Sequence, residues 1–317
     1  MIMRARSRLW LPLLLIVLVA AFLLFRSELD FEYIIPKRLD RLAAMMIGGV
    51  CVAFSAVVFQ IIAGNRILTP AIMGYEAVYL LFQSLLTLLL GGHRFVALNS
   101  TGYFFLSVLL MLAYSWVLHQ WLFRDGKRNV YFLLLTGLIL TMLFGTFAQF
   151  IAIKLSPSDF AVLQGASIVS FNRAQSVQIA YSVVLVVASV AVVLRTLSYL
   201  DVLSLGRDQA ISLGINHRQY VRLYLALIAA LVAVSTSLIG PTAFMGVFVA
   251  NITYSITRAT RPHITLSAAC ATAICVFIVA QFLVEHVFNY KTTVSILVNL
   301  VCGIYFLMLM IRTRGAA

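Results

Sequence analysis

Apolar residues run along this chain in long unbroken stretches, with charged residues almost confined to the joints between them. Stretches near the ~20 residues that carry a helix across a hydrocarbon layer predict membrane-spanning helices. Ten can be delimited, at 9–26, 42–63, 71–90, 101–122, 130–153, 175–195, 219–239, 242–257, 264–284 and 292–311. Strands of a membrane barrel would instead read as alternating segments of about ten residues. The pattern therefore predicts an all-α polytopic membrane protein of about ten transmembrane helices, with residues 1–317 forming a single membrane domain. The first stretch follows Arg4, Arg6 and Arg8, as a secretory signal would. It is long for such a signal, and Arg26-Ser27-Glu28 is no small-residue cleavage site, so a retained helix is expected.

Composition and charge narrow the class. Of 317 residues, 63% are hydrophobic and 10% charged, which excludes a water-soluble enzyme domain. The net charge of +13 is scattered between apolar stretches and forms no patch for nucleic acid. Placing the N-terminus inside puts most of the basic residues in cytoplasmic loops, so both termini are expected in the cytoplasm. Arg26, Lys37, Arg38 and Arg41 crowd one outer loop against that rule. Cys51, Cys270, Cys275 and Cys302 all lie within apolar stretches and read as small core residues, not as a disulfide framework or a metal set.

Motifs for covalent chemistry are absent. The chain has no phosphate-binding G-x-x-x-x-G-K-[ST], no H-E-x-x-H, no C-x-x-C and no G-x-S-x-G. Two connections exceed a turn. In 201–219, Ser204 is expected to cap a short amphipathic helix over 205–213, with Gly214 in a left-handed position after it and Asn216 capping the next helix. Two exposed charges, Arg207 and Asp208, and the glycine ends favour docking on a cytoplasmic protein over lying in the lipid interface. In 154–174 a helical turn or two is expected before Gly165. Glu76 is the one carboxylate well inside a span. It either sits near the inner end, snorkelling or pairing with Arg66, or lines an inner gate. Gln60, Gln83, Gln149 and Gln281 are further polar residues within spans, and Gln149 is carried with Glu76 as a pathway candidate.

These features fall in a recognisable order. Arg38-Leu39-Asp40-Arg41 opens the second span, followed by Gly48-Gly49, Gln60, then Asn65 to Pro70 and Gly74. Later come Leu205-Gly206-Arg207-Asp208-Gln209-Ala210-Ile211-Ser212-Leu213-Gly214-Ile215-Asn216 and Gly240-Pro241-Thr242-Ala243-Phe244-Met245-Gly246. The order resembles the iron-chelate and vitamin B12 permease family of binding-protein-dependent ABC importers, over nearly the whole chain.

The resemblance implies a non-enzymatic permease subunit in a bacterial inner membrane, alternating access under the control of separate ATPases. It implies a coupling helix in which Leu205, Gly206, Arg207, Asp208, Ala210, Leu213 and Gly214 meet an ATPase subunit. It implies that Arg38 and Arg41 meet acidic residues of a periplasmic or lipid-anchored binding protein. A second permease, identical or homologous, and two cytoplasmic ATPases would complete the assembly. Cofactors are expected only there, as ATP and Mg on the ATPases. Three departures, Arg66 to Thr69 in the usual N-P-L-A-D-P turn, Tyr75 to Tyr79 in place of V-S-S-G-A, and Ala250-Asn251 in place of Pro-His, move the expectation from vitamin B12 to the ferric-siderophore branch. Lys291-Thr292-Thr293 likewise stands where a proline would precede the last span. The rival reading, an ion- or proton-coupled secondary transporter, predicts more buried carboxylates than Glu76 alone.

Overall fold

In the computed structural model, residues 2–25, 34–91, 100–123, 130–242, 244–257 and 262–314 are described, and no strand occurs among them. Among the described residues each of the ten apolar stretches carries a helix, the structure in which an isolated apolar segment satisfies its own backbone. The helices are α1 (Ile2–Leu24), α2 (Ile34–Ala63), α3 (Tyr75–Leu90), α4 (Ser100–Phe123), α5 (Val130–Ile153), α6 (Pro157–Ala166), α7 (Ser176–Arg195), α8 (Leu197–Leu203), α9 (Arg207–Ser212), α10 (His217–Ile239), α11 (Met245–Thr257), α12 (Pro262–His286) and α13 (Val294–Arg314). Six of them contain segments long and apolar enough to cross a membrane: Ile35–Ala63, Thr101–Gln120, Leu134–Ile153, Ser176–Arg195, His217–Ile239 and Pro262–His286. The other four stretches give shorter apolar helices.

One expected span proves to be broken, and a second starts late. The 71–90 stretch opens with a 3-10 turn, Pro70–Met73, which Gly74 ends at φ 88° before α3 begins. The 242–257 stretch becomes helical only at Met245, after α10 has stopped at Gly240 with φ 102°. At 71–90 the sequence is apolar enough to read as one span, yet proline and glycine interrupt the ladder; at 240–241 the expected gap between spans is a glycine and a proline.

α2 is the central post and packs chiefly against α10 and α12. Gly48 and Gly49 make this possible. A Cβ on Gly48 would lie 2.5 Å from Ile239 Cδ1, and one on Gly49 would lie 3.1 Å from the Ile274 backbone nitrogen. Small residues at such crossings let helices approach closely where burial of apolar surface from water gives no force. The broken turn is held in the same way. A Cβ on Gly137 of α5 would sit 2.8 Å from Met73 Cα and 2.9 Å from Ile72 O.

That contact generates a prediction. Gly137→Ala must push the 70–74 turn off α5, an overpacking cost of about 1–3 kcal/mol, and should lower the apparent melting temperature in detergent. Gly145→Ala is the control on the same helix, since nothing lies within 4 Å of its Cβ position. It should be neutral or stabilising by up to about 1 kcal/mol.

Candidate functional site

Three regions gather the polar groups of the bundle. The first is the end that carries α8 and α9. Thr196 separates α7 from α8, and its carbonyl accepts the Tyr224 hydroxyl at 2.7 Å. Tyr199 stacks on Tyr220 with centroids 4.1 Å apart. Leu200 and Leu203 are buried beneath. Ser204 is not the cap of the following helix. It closes α8, with its hydroxyl donating to Asp201 O at 2.6 Å. Gly206, at φ 103°, begins α9 instead, because no Cβ is tolerated easily at that angle. The helix is therefore six residues, 207–212, and shorter than the expected 205–213.

The stop signal at Gly214 is as the sequence indicates. Gly214 has φ 80°, its N–H donates to Ile211 O at 2.9 Å, and Ile215 N–H reaches Ala210 O at 3.1 Å. This pair of bonds is the Schellman termination. Asn216 then accepts the Gln219 N–H and starts α10. Ala210 faces inward with no exposure, while Leu205, Ile211 and Leu213 are more than half exposed beside the exposed Arg207 and Asp208. The arrangement is an apolar face on a rigid base.

At the opposite end, Arg38 and Arg41 do not stand as two free forks. Arg38 is 8% exposed. Its Nη1 donates to the carbonyls of Phe22, Leu23 and Phe25 at 2.9, 3.1 and 2.8 Å, capping the C-terminal end of α1. A cation there satisfies orphan carbonyls and meets the negative end of the helix dipole. Arg41 pairs with Glu285 of α12 at 2.9 Å and keeps 25% of its side chain exposed. Gln281 also donates to that carboxylate, at 2.6 Å. Tyr290 lies 3.4 Å from Arg41, on a backbone where both Asn289 (φ 47°) and Tyr290 (φ 58°) are left-handed without being glycine. Burial, and Glu285 beside it, push the Tyr290 phenol above its ordinary pKa. Asp40 turns away and accepts from the Ser176 hydroxyl at 3.2 Å. Nearby, α6 runs through Gly165 without a break. Arg173 caps it by donating to Gly165 O and Ala166 O, each at 2.9 Å.

The third region is interior. Tyr114, midway along α4, donates to Met73 O at 2.8 Å, and Thr141, midway along α5, donates to Ile72 O at 3.2 Å. The 70–74 turn thus lies deep in the bundle, and Glu76 with it. Of the two expected placements of Glu76, the one near an end or paired with Arg66 is not what the geometry gives. Its Oε1 accepts the Thr242 N–H at 2.9 Å. Arg66 lies over the Tyr254 ring at 4.7 Å, and its carbonyl accepts from Gln60 (2.8 Å) and Asn251 (3.2 Å). Gln149 is exposed on α5 and does not join Glu76. A cleft of about 320 Å³ opens beside Ala63, Asn65, Leu68, Leu134, Leu135 and Leu138. It has the size of a ligand site but a nearly all-apolar wall. Among the described residues no group of three His, Cys, Asp or Glu side chains is placed to hold a metal.

Sequence reasoning missed Glu285, which falls one residue beyond the expected end of its span and 244 residues from Arg41. Two expected outcomes follow. Arg38→Ala leaves buried carbonyls unpaired and should destabilise the fold by roughly 1–3 kcal/mol, read as a lower apparent melting temperature. Arg41→Ala strands Glu285, and adding Glu285→Gln should recover part of the loss. A double-mutant cycle should return a coupling of about 0.5–3 kcal/mol.

Comparison with known proteins accords with this architecture. The chain is 34% identical over 310 residues to the petrobactin import system permease protein YclO of Bacillus subtilis, covering 98% of each. A second permease protein of the petrobactin import system in that organism, YclN, is 23% identical, covering 92% of this chain and 90% of its own. A solved metal-chelate type ABC transporter in an inward-facing conformation superposes with a TM-score of 0.84 at 19% identity, over 97% of this chain and 99% of that one. A profile described as the FecCD transport family matches residues 8–312, and the chain belongs to that family.

Proposed function

We propose that this chain is the permease subunit of an ABC importer that carries an iron–siderophore complex across a bacterial inner membrane. The observation that carries the reading is the end-to-end match to a siderophore permease, with 98% of both chains aligned. Petrobactin is accordingly the cargo to test first. In this reading the ten apolar helices all enter the membrane, with both termini and the α8–α9 end in the cytoplasm, as the loop charges favour.

The geometry supports a role for each end. The apolar surface of α9 and its flanks, with Leu205 before the helix, Ile211 within it and Leu213 after it, beside Arg207 and Asp208, seats against a cytoplasmic ATPase that binds ATP and Mg. Its rigid mounting through the Tyr199–Tyr220 stack and the Gly214 termination passes movement of the ATPase to α7 and α10. At the opposite end, Arg41 is the arginine left with an exposed edge to meet an acidic binding protein. Arg38 contributes by fixing α1 against α2. The pathway runs between two permeases. The greater likeness to YclO than to YclN, 34% against 23%, favours an unequal pair whose other half is a separate YclN-like chain.

Purification of the tagged chain from its native membrane should bring down a second, different permease and an ATPase. The complex in vesicles should take up ferric petrobactin only with ATP and a loaded binding protein. Recovery of a solitary homomer, or uptake abolished by an ionophore and indifferent to ATP, would refute the proposal. Within that complex, Ile211→Asp should weaken ATPase association more than tenfold, an energy of about 1.4 kcal/mol, while the permease pair stays intact. Gly214→Val places a β-branched residue at a left-handed angle and should cut uptake without loss of binding-protein docking.

A further inference from the structure

Two helices of this bundle begin inside it. α3 starts after the turn that Tyr114 and Thr141 hold at the mid-length of their helices. α11 starts beside it, because a Cβ on Gly246 would lie 2.9 Å from Ala56 Cβ and 3.3 Å from Thr69 Oγ1, at the head of the same turn. A helix N-terminus carries unpaired N–H groups and the positive end of the helix dipole. Two of them lying side by side favour a negative group. Glu76, in the first turn of α3, supplies a carboxylate that accepts the N–H of Thr242 on the approach to α11.

A small cavity of about 20 Å³, room for one water-sized occupant, adjoins the carboxylate; Ser55, Thr69, Ser235, Thr236 and Thr242 share its otherwise apolar wall with Val52 and Val232. The Ser235 hydroxyl is 2% exposed and has no hydrogen-bond partner. Buried hydroxyls are rarely left so.

We propose that Glu76 is an internal anion locking the N-termini of α3 and α11 together, and that the cavity beside it binds a single water molecule through the Ser235 hydroxyl. Position gives the lock its use. The 240–242 segment continues from Ile239, whose carbonyl accepts the Ser170 N–H at 2.9 Å, so it is tied to the connection that follows α6. The turn at 70–74 continues from the 64–69 loop at the other end, clamped by Gln60 and Asn251. Glu76 therefore joins backbone anchored at one end of the bundle to backbone anchored at the other. A hydrogen bond placed there lets the opening of one end be felt at the other, which alternating access demands.

The inference takes the transport reading as given, and its test has a readout that does not depend on transport. Hydrogen exchange of peptides spanning 240–246 is compared between the purified wild-type complex and the Glu76→Ala and Glu76→Gln variants. Removing the carboxylate should speed exchange there more than tenfold, leave peptides of α4 and α7 unchanged, and cut ATP-driven uptake more than tenfold at equal protein. Glu76→Gln keeps the shape and one acceptor but no charge, and should fall between. It also carries the comparison should the alanine variant fail to accumulate. Wild-type exchange and uptake in both variants would overturn the lock. A map that resolves ordered water should show one peak within hydrogen-bonding reach of Ser235 Oγ, and its absence would overturn the water site. Absence of ATP-driven uptake by the wild-type complex would sink the transport reading while the exchange comparison still decides the lock.

Discussion

Every backbone N–H and C=O that this bundle leaves outside a helical ladder has to find a partner within the protein, because apolar surroundings offer none. That demand is heaviest where the chain leaves a helix inside the bundle. At 70–74 the freed carbonyls of Ile72 and Met73 are taken by the hydroxyls of Thr141 and Tyr114. At 64–69 the Arg66 carbonyl is taken by two amides, and the Asn65 side chain accepts the Ile67 N–H at 2.9 Å. At 240–242 a free N–H is taken by a carboxylate. The polar side chains found deep in this apolar chain are thus answers to backbone, and most of the interior's specific geometry follows from them.

The same accounting explains the two ends. Arg38 closes α1, Arg173 closes α6, and the Gly214 pair of bonds closes α9. Each terminates a helix with what the local setting allows. Long basic side chains serve at α1 and α6, and glycine with its own backbone serves at α9. The cation spent on a helix end is unavailable to a partner, which is why the two arginines of one sequence motif have different fates. Arg38 is drawn inward and Arg41 stays at the surface, held by Glu285.

Local signals were legible in the sequence. The apolar stretches announced every long helix. Gly214 and Asn216 announced a stop and a start, because αL glycine and side-chain capping depend on a few adjacent residues. Ser204 misled because Gly206, two residues on, could take an angle that serine cannot. The stop at Gly240 was legible between two expected spans, whereas the break at Gly74 was hidden by apolar content, which says that a segment is buried but not that it is continuous. The partners of Glu76, Arg38 and Arg41 were out of reach for a different reason. Thr242 is 166 positions from Glu76 and Glu285 is 244 from Arg41, so these pairs exist only once α2, α3 and α12 have packed. The resemblance to a permease family supplied the order of the motifs, and it could not supply which side chain reaches which atom.

Only Ile215 separates the glycine that ends α9 from the asparagine that starts α10. Such a joint has no slack. An inserted or deleted residue there would separate the Gly214 termination from the Asn216 cap and change the direction in which the exposed face of α9 points. Exchanging Leu205, Ile211 or Leu213 for other side chains leaves that aim untouched. Over evolutionary time this segment is therefore free to change its vocabulary but not its length. Relatives that serve different ATPases should differ here in residue type while keeping the count from Gly206 to Asn216 fixed.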